Sequence, residues 1–182
     1  MKLHVRRLLA SALLVGAVVV PGAPRAAAGQ PEPDGMMTPA WLEDHWIDMA
    51  SGWEDAVACD VEPTGNTCYR TMAAFNAAVA PVPAKGVVAL AASYCGSSVR
   101  LFDGTSYTGT MLALNLRSTN INLSTYGFDN VTSSYKVGSC DSEFFNGVNG
   151  GGAMYPGNTS AGAQASSMVT GWSNQVSSVY IF

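Results

Sequence analysis

The sequence predicts a mostly β protein, in which a double Greek-key β-sandwich follows a small helical, disulfide-containing N-terminal segment. Three observations carry this prediction. Two sequence markers occur twice in the same order in the C-terminal half, which indicates an internal repeat. Short β-prone runs broken by Gly, Asn and Ser fill the same region. Four cysteines follow an N-terminal export pattern and indicate disulfides.

The first 28 residues have the pattern of a signal peptide. Residues 1–7 are basic, Leu8 to Val20 is an apolar run of 13 residues, and residues 21–28 are mostly small. The apolar run is too short for a permanent membrane anchor. We therefore expect cleavage after Ala28, a secreted product and no membrane association after cleavage.

The charge of the remaining chain is concentrated near its start. Removing residues 1–28 takes away four basic residues, which leaves five basic and thirteen acidic residues and a net charge of −8. Nine of the acidic residues lie between Glu32 and Glu62. Because phosphate recognition needs clustered Lys and Arg, nucleic acid is not expected as a partner.

Residues 29–80 are predicted to form an acidic helical segment around a disulfide hairpin. Thr38 and Pro39 suit a helix start and predict a helix that ends near Ala50. A second helix is predicted from Thr71 to Ala80, with apolar residues on one side. Residues 81–94 are predicted to be a Pro-containing linker followed by an apolar lead-in, part of which could be a strand.

The cysteines predict two disulfides, for which three connectivities are possible. Cys59 and Cys68 flank a strong turn sequence, so a local bridge is the simplest pairing. Cys95 and Cys140 each precede one copy of the repeat, and a bridge between them would tie the copies together. Metal thiolates are not favoured, because the spacing of structural zinc ligands is absent.

The repeat consists of two markers in each copy. In the first marker, Phe102 and Asp103 correspond to Phe145 and Asn146, 43 positions later, and Gly104 and Gly109 have glycine counterparts. This marker predicts a strand that ends in an aromatic residue and continues into a folded hairpin, over which Phe102 and Tyr107 close. The second marker, residues 127–134, recurs 44 positions later as residues 171–178 and predicts a polar, oxygen-rich loop before the last strand.

Eight strands are predicted around these markers, in numbers that suit two four-stranded Greek keys. They are Val99–Phe102, Met111–Leu114, Ile121–Leu123, Tyr135–Val137, Glu143–Phe145, Ala153–Tyr155, Ser167–Val169 and Val179–Ile181.

Residues for enzyme chemistry are sparse, and we expect no catalytic activity. His45 is the only histidine after residue 28, no G-x-S-x-G or H-E-x-x-H motif occurs, and the cysteines are expected to be oxidised. The acidic residues around Trp41, Trp46 and Trp53 admit a sugar-binding interpretation, but a solvated acidic surface is the simpler one.

The paired markers resemble the Greek-key repeats of the βγ-crystallin superfamily, in its microbial secreted branch. The resemblance covers residues 95–182, with motifs at about 95–138 and 139–182. The second copy departs from the pattern twice, because Gly150 stands where Tyr107 stood and Ser173 where Asp129 stood.

This resemblance implies calcium binding by the second marker of each copy, with up to two ions. Each ion would be held by one loop and a carbonyl from the hairpin of the other copy, near Asn146–Gly150 for the first site and Asp103–Ser106 for the second. The alternative is a polar turn in which Asn and Ser bond their own backbone. With few full charges, the dissociation constant should be about 10⁻⁵ to 10⁻³ M. The implied ligands are Asp129, Asn130, the Val131 carbonyl and Ser133 for one ion, and Ser173, Asn174, the Gln175 carbonyl and Ser177 for the other.

Two other functions remain open for a secreted, non-enzymatic chain of this kind, which we expect to be a monomer. Some secreted bacterial inhibitors of metalloproteases share a crystallin-like fold, so the loop Asn146–Gly152 could face an extracellular protease. Alternatively, the acidic, Trp-rich N-terminal part could bind a cell-wall polysaccharide.

Overall fold

The computed structural model describes residues 34–79 and 95–182. The predicted signal peptide, linker and lead-in lie outside these residues. The described chain contains eleven strands and one α-helix, α1 (Met72–Ala78), as well as short 3₁₀ turns. The strands are β1 (Pro39–Leu42), β2 (His45–Asp48), β3 (Ala58–Glu62), β4 (Gly65–Tyr69), β5 (Val99–Phe102), β6 (Met111–Leu114), β7 (Asn120–Asn122), β8 (Ser134–Lys136), β9 (Ser142–Phe145), β10 (Gln164–Ala165) and β11 (Ser178–Ile181).

The strands form two sheets. The larger sheet has eight strands in the order β10-β8-β5-β6-β3-β4-β1-β2, and the smaller has three in the order β7-β11-β9. Two pairs, β1 with β4 and β3 with β6, are parallel, and the other named pairs are antiparallel. The mostly β architecture predicted from the sequence is confirmed.

The predicted helix from Thr38 to Ala50 is wrong, because these residues form the β1–β2 hairpin. Glu43 takes a positive φ of 52° in the turn between the strands. Ala40, Trp41 and Leu42 of β1 are all buried, as is Ile47 of β2. The two strands pair from Pro39 with Asp48 to Leu42 with His45, and β1 also pairs with β4. Thr38, which suits a helix start, instead connects the two strands: its N–H donates to Asp48 Oδ1 over 3.0 Å.

The second helix and the two disulfides are found as predicted. α1 falls within the predicted second helix, and its cap is Thr71, whose Oγ1 accepts a hydrogen bond from the Ala74 N–H over 3.0 Å. Cys59 pairs with Cys68 across the β3–β4 hairpin, and Cys95 is joined to Cys140. Both predicted disulfides are confirmed.

The predicted strands of the C-terminal half are found with two differences. β5 and β6 have the predicted bounds, and β7, β8, β9 and β11 overlap their predictions. The run Ala153–Tyr155 makes only an isolated bridge between Met154 and Phe145. The run Ser167–Val169 is not a strand, and the edge pairing falls earlier, at β10. Both runs nevertheless keep backbone hydrogen bonds to neighbouring strands or loops, from the Tyr155 N–H to the Phe144 carbonyl and from the Met168 N–H to the Ser133 carbonyl.

Strands from before and after residues 81–94 lie side by side in the larger sheet. This arrangement differs from the division into two parts that the sequence predicted. β3 pairs with β6 over four residues, from Ala58 with Met111 to Val61 with Leu114. The main hydrophobic core accordingly combines residues of both parts, including Leu42, Ile47, Leu101 and Leu123. A second, smaller core lies under α1, where Phe75 packs with Phe102 and Met111.

No helix among residues 34–79 and 95–182 is long and apolar enough to cross a membrane.

Candidate metal centre

Two folded hairpins flank the candidate site, and they are nearly identical in their bonding. Asp103 Oδ1 accepts a hydrogen bond from the Thr110 N–H over 2.8 Å, and Asn146 Oδ1 accepts one from the Ala153 N–H over 2.7 Å. The rings of Phe102 and Tyr107 meet edge to face with centroids 5.8 Å apart, as the first marker predicts. The repeat in the sequence is therefore also a repeat in structure.

The second serine of each Ser-Ser pair holds the hairpin of its own copy. Ser134 Oγ donates to the Gly104 carbonyl over 2.6 Å and accepts from the Tyr107 N–H over 3.1 Å. Ser178 Oγ makes the same two contacts in the second copy, with the Gly147 carbonyl and the Gly150 N–H. This pairing leaves the first serine of each pair available for the loop.

The first departure of the second copy has a simple explanation. Tyr107 takes a positive φ of 62°, and Gly150 takes a φ of 73° at the equivalent position. Glycine reaches this conformation without the steric cost that a side chain carries. Gly150 therefore maintains the hairpin, although it removes the aromatic ring.

The two second markers lie against one another in a reciprocal arrangement. The Asn130 N–H donates to the Val176 carbonyl over 3.0 Å, and the Asn174 N–H donates to the Thr132 carbonyl over 2.9 Å. Both asparagines have a left-handed backbone conformation, with φ values of 55° and 58°. Each loop is thus shaped by the other, and neither is an independent polar turn.

The serines of the two loops are exchanged relative to the predicted ligand sets. Ser133 Oγ donates to Asn174 Oδ1 over 3.1 Å and also lies 3.1 Å from Ser173 Oγ. Ser177 Oγ donates to Asn130 Oδ1 over 3.2 Å. Ser133 therefore lies with Asn174 of the second loop and Ser177 with Asn130 of the first, an arrangement that differs from the predicted ligand sets.

The exchange follows from how each serine is attached to its own hairpin. The Ser133 N–H donates to the Phe102 carbonyl, and the Ser177 N–H donates to the Phe145 carbonyl, both over 2.8 Å. Each serine therefore stays beside the hairpin of its own copy, while the asparagine that it contacts comes from the other. We call the group of Asp129, Asn130 and Ser177 the first cluster, and the group of Ser173, Asn174 and Ser133 the second cluster.

The first cluster contains the one carboxylate of the two loops, that of Asp129. One of its two oxygens has no hydrogen-bond partner. Asp129 Oδ2 accepts a hydrogen bond from Asn130 Nδ2 over 3.0 Å. Asp129 Oδ1 is buried and has no hydrogen-bond partner. A buried carboxylate oxygen normally has a partner, so this atom is suited to a cation.

The donor set favours a hard cation. Among the described residues, no group of three or more His, Cys, Asp or Glu side chains could hold a metal ion. The clusters instead present carboxylate, amide and hydroxyl oxygens, the ligand types of calcium. Of the two predicted carbonyl donors, Val131 packs against the main core and Gln175 is exposed, with its Nε2 donating to the Asn174 carbonyl over 2.9 Å.

Sequence reasoning missed a third element beside the loops, the segment Met49–Ala56 of the N-terminal part. Trp53 Nε1 donates to the Tyr126 carbonyl over 2.7 Å, just before the first loop. An open cleft between this segment, the first hairpin and the two loops is lined by Trp53, Glu54, Asp103 and Asn174 among others. Trp53 itself was the one indication of this element in the sequence, as a large apolar residue without an obvious partner. Its partner Phe128 could not be identified from the sequence, because the two residues are far apart in the chain.

Four acidic residues of the N-terminal part, Glu43, Asp44, Glu54 and Asp55, contact Arg70 or His45 at the protein surface. Arg70 bonds the carboxylates of Glu43, Asp44 and Asp55 at 2.8 to 3.2 Å. His45 contacts Asp44 and Glu54, each at 2.9 Å. The hydrogen bond with Asp44 is the main reason why the pKa of His45 is raised, and it lowers the pKa of Asp44 in turn.

Fold and site together define a Greek-key domain of two repeats, with a pair of oxygen-rich loops and an N-terminal extension of its larger sheet. No family model matches the chain, and no curated protein matches it. Its fold is similar to solved structures of βγ-crystallin domains, the superfamily whose motifs the sequence resembles, and microbial members are among them.

Three of these structures illustrate the similarity, and each covers 47% of this chain. A βγ-crystallin from Ciona intestinalis is 23% identical, with 99% of its own length covered and a TM-score of 0.40. A βγ-crystallin domain from Flavobacterium johnsoniae is 22% identical, with 93% covered and a TM-score of 0.38. A domain from Clostridium beijerinckii is 19% identical, with 97% covered and a TM-score of 0.38.

Proposed function

We propose that this chain is a secreted, non-enzymatic βγ-crystallin-like protein whose reciprocal loops bind up to two calcium ions. The observation that carries the proposal is the buried Asp129 Oδ1, which lacks a partner beside Asn130 and Ser177 of the first cluster. Burying an ionised carboxylate oxygen without a partner costs free energy, and a bound cation would remove that cost.

The first cluster would hold the tighter site. Asp129, Asn130 and Ser177 would supply a carboxylate, an amide and a hydroxyl oxygen, with further oxygen from backbone carbonyls and water. The second cluster offers Asn174, Ser133 and Ser173 but has no carboxylate in its loop. We expect dissociation constants of about 10⁻⁵ to 10⁻³ M, with the first site at the lower end.

Calcium would act here as a cross-link between the two repeats. Each cluster joins an asparagine from one copy to a serine from the other, so an ion at either cluster would bridge them. Such binding requires the folded arrangement and therefore stabilises it by mass action. The chemistry that the ion supplies is charge compensation and coordination, and no reaction step is needed.

A calorimetric titration of the mature protein with calcium tests this proposal. We expect two binding events in the stated range, and weaker binding of magnesium, which prefers a more regular, smaller site. Asp129→Asn should weaken the first event, while the exposed Ser160→Ala serves as a matched control outside both clusters. The absence of any calcium-dependent heat would refute the proposal.

A second candidate function is inhibition of an extracellular protease. The second hairpin projects Val148 and Met154, whose exposed fractions are 54% and 56%, from a backbone held by Ser178. A rigid hairpin with exposed apolar side chains has the form of an inhibitory loop. Inhibition of thermolysin by the protein, and its loss in Val148→Asp, would support this candidate.

A further inference from the structure

We propose that Trp53 is a positioning residue for the first loop, so that the N-terminal segment forms part of the calcium-binding apparatus. This inference rests on the proposed calcium function and adds a residue that lies outside both repeats. It concerns a contact between the segment Met49–Ala56 and the three residues that immediately precede Asp129.

Two direct contacts of Trp53 carry the inference. Its ring stacks on Phe128, with centroids 5.4 Å apart and planes inclined by 26°. Its Nε1 donates a hydrogen bond to the Tyr126 carbonyl over 2.7 Å. A stacked aromatic pair and a hydrogen bond together restrain both the side chain and the backbone at the entrance of the loop.

Gly127, between these two contacts, is also held closely by the same segment. It takes a positive φ of 65°, and a Cβ placed there would lie 2.5 Å from the Met49 carbonyl oxygen. Met49 itself is fully buried, and its N–H donates to the Thr38 carbonyl over 2.9 Å. The backbone that leads into Asp129 therefore rests on a rigid part of the N-terminal sheet.

The segment that carries Trp53 is bonded to strands on both sides. The Gly52 N–H donates to the Asp48 carbonyl of β2 over 3.2 Å, and the Val57 N–H, directly after the segment, donates to the Tyr69 carbonyl of β4 over 2.8 Å. Glu54 Oε2 contacts His45 Nε2 at 2.9 Å, which ties the segment to β2. Trp53 thus connects the N-terminal strands to the first loop through packed and hydrogen-bonded groups.

The two direct contacts of Trp53 are to residues that lead into the first loop. In the second copy, Trp172 stands where Phe128 stands in the first, and its ring contacts Tyr155 of its own copy at 5.3 Å. Trp53 therefore distinguishes the two clusters. Its removal should affect the site of Asp129 and Asn130 more than the site of Asn174.

The inference is tested by calcium titration of Trp53 variants well below their melting temperatures. We expect Trp53→Ala to weaken the first site about tenfold, as the loss of groups that orient metal ligands commonly does. Trp53→Phe keeps the stacking and should lose less affinity. Trp46→Ala is the matched control, because Trp46 meets Trp41 edge to face in the β1–β2 hairpin, away from both loops.

The ratio of the two affinities is the readout that a purely structural role of Trp53 would not move, because a general loss of stability would weaken both sites alike. Fluorescence supplies a second readout of the first loop: we expect calcium to change the emission of the wild type, and the part of this change that comes from Trp53 to be lost in Trp53→Phe, while Trp172 beside Ser173 still reports the second cluster. If the wild type binds calcium and Trp53→Ala binds it equally well, the positioning role is wrong and the calcium function stands. If the wild type binds no calcium, the calcium function itself fails.

Should Trp53→Ala not fold, Trp53→Phe decides the matter. In that variant, an affinity of the first site equal to that of the wild type would overturn the proposal.

Discussion

Asp129, Asn130 and Ser177 show how single residues of distant loops combine into one cluster. The carboxylate and the amide are adjacent in the chain, whereas the hydroxyl comes from the other copy, 47 positions after Asn130. The motif in the sequence identifies the loops, but it does not show that their serines are exchanged. That exchange depends on the hydrogen bonds of Ser133 and Ser177 to their own hairpins, which only the folded chain displays.

A double-mutant cycle tests the exchange of the serines. Because Asp129 and Ser177 would share one ion, the losses of calcium affinity from Asp129→Asn and Ser177→Ala should be strongly non-additive. Asp129→Asn and Ser133→Ala affect different ions, so their effects should add within about 0.5 kcal/mol. The measurement is calorimetry of the three single and two double variants. Additivity of the first pair, with coupling of the second, would restore the grouping predicted from the sequence.

Asp60 is a second residue whose environment has a measurable consequence. It lies in β3 between Thr67 of β4 and Ala113 of β6, and only 7% of its surface is exposed. Burial, aided by the charge of Glu62 and opposed by that of Arg100, raises its pKa to about 7. The folded protein therefore keeps a proton that the unfolded chain releases at lower pH.

The free energy of unfolding should consequently fall as the pH rises from about 4 to about 7, because the folded state binds more protons in that range. The ionisation of Asp60 should lower the free energy of unfolding by up to roughly 2–4 kcal/mol over this range. Asp60→Asn should remove most of this decline, whereas the exposed Asp34→Asn should not. Urea unfolding at pH 5 and pH 8 measures both variants, and an unchanged slope in Asp60→Asn would show that Asp60 ionises normally.

At the scale of elements, the folded hairpin depends on one buried serine. Ser134 and Ser178 are completely buried, and each satisfies one carbonyl and one N–H of its hairpin. Replacing either by Ala leaves both backbone groups without this partner. We expect each variant to lose about 1–3 kcal/mol of stability in urea unfolding. Ser124→Ala, at an exposed position, is the control, and a loss as small as that of the control would contradict the role.

The elements of the repeat could be predicted from the sequence, because their determinants are local. The hairpins follow from an aromatic residue and from glycines such as Gly109, which has a φ of 78° and no room for a side chain beside Asp103. The β1–β2 hairpin could not be predicted in this way, since Thr38 and Pro39 suit a helix start. There, pairing of β1 with β4 and burial of Leu42 and Ile47 outweigh local preference.

At the scale of the whole molecule, the parallel pairing of β3 with β6 makes the N-terminal part a structural component of the domain. A chain that begins at Cys95 would expose the edge of β6, together with Phe128, which Trp53 covers. It would also lose the part of the core that Leu42 and Ile47 supply. The contribution of residues 34–79 was not visible in the sequence, because parallel partners are distant in the chain.

Cleavage within residues 81–94 tests this integration. No disulfide joins the two described parts, because Cys59 pairs with Cys68 and Cys95 with Cys140. A specific protease site inserted after Lys85 should therefore give two fragments that remain associated in size-exclusion chromatography. They should separate in urea without a reducing agent. Immediate separation into independently folded fragments would instead support the division predicted from the sequence.

We propose that calcium bridges the two repeats, and a thermal melt of the mature protein measures the stability that this bridge adds. Calcium at ten times the dissociation constant should add about 1.4 kcal/mol per site, which corresponds to a rise of about 3–6 °C per site. Ser177→Arg, which places a cation in the first cluster, should remove the larger part of the rise while Ser160→Ala retains it. Equal melting temperatures of the wild type in calcium and in chelator would contradict the claim.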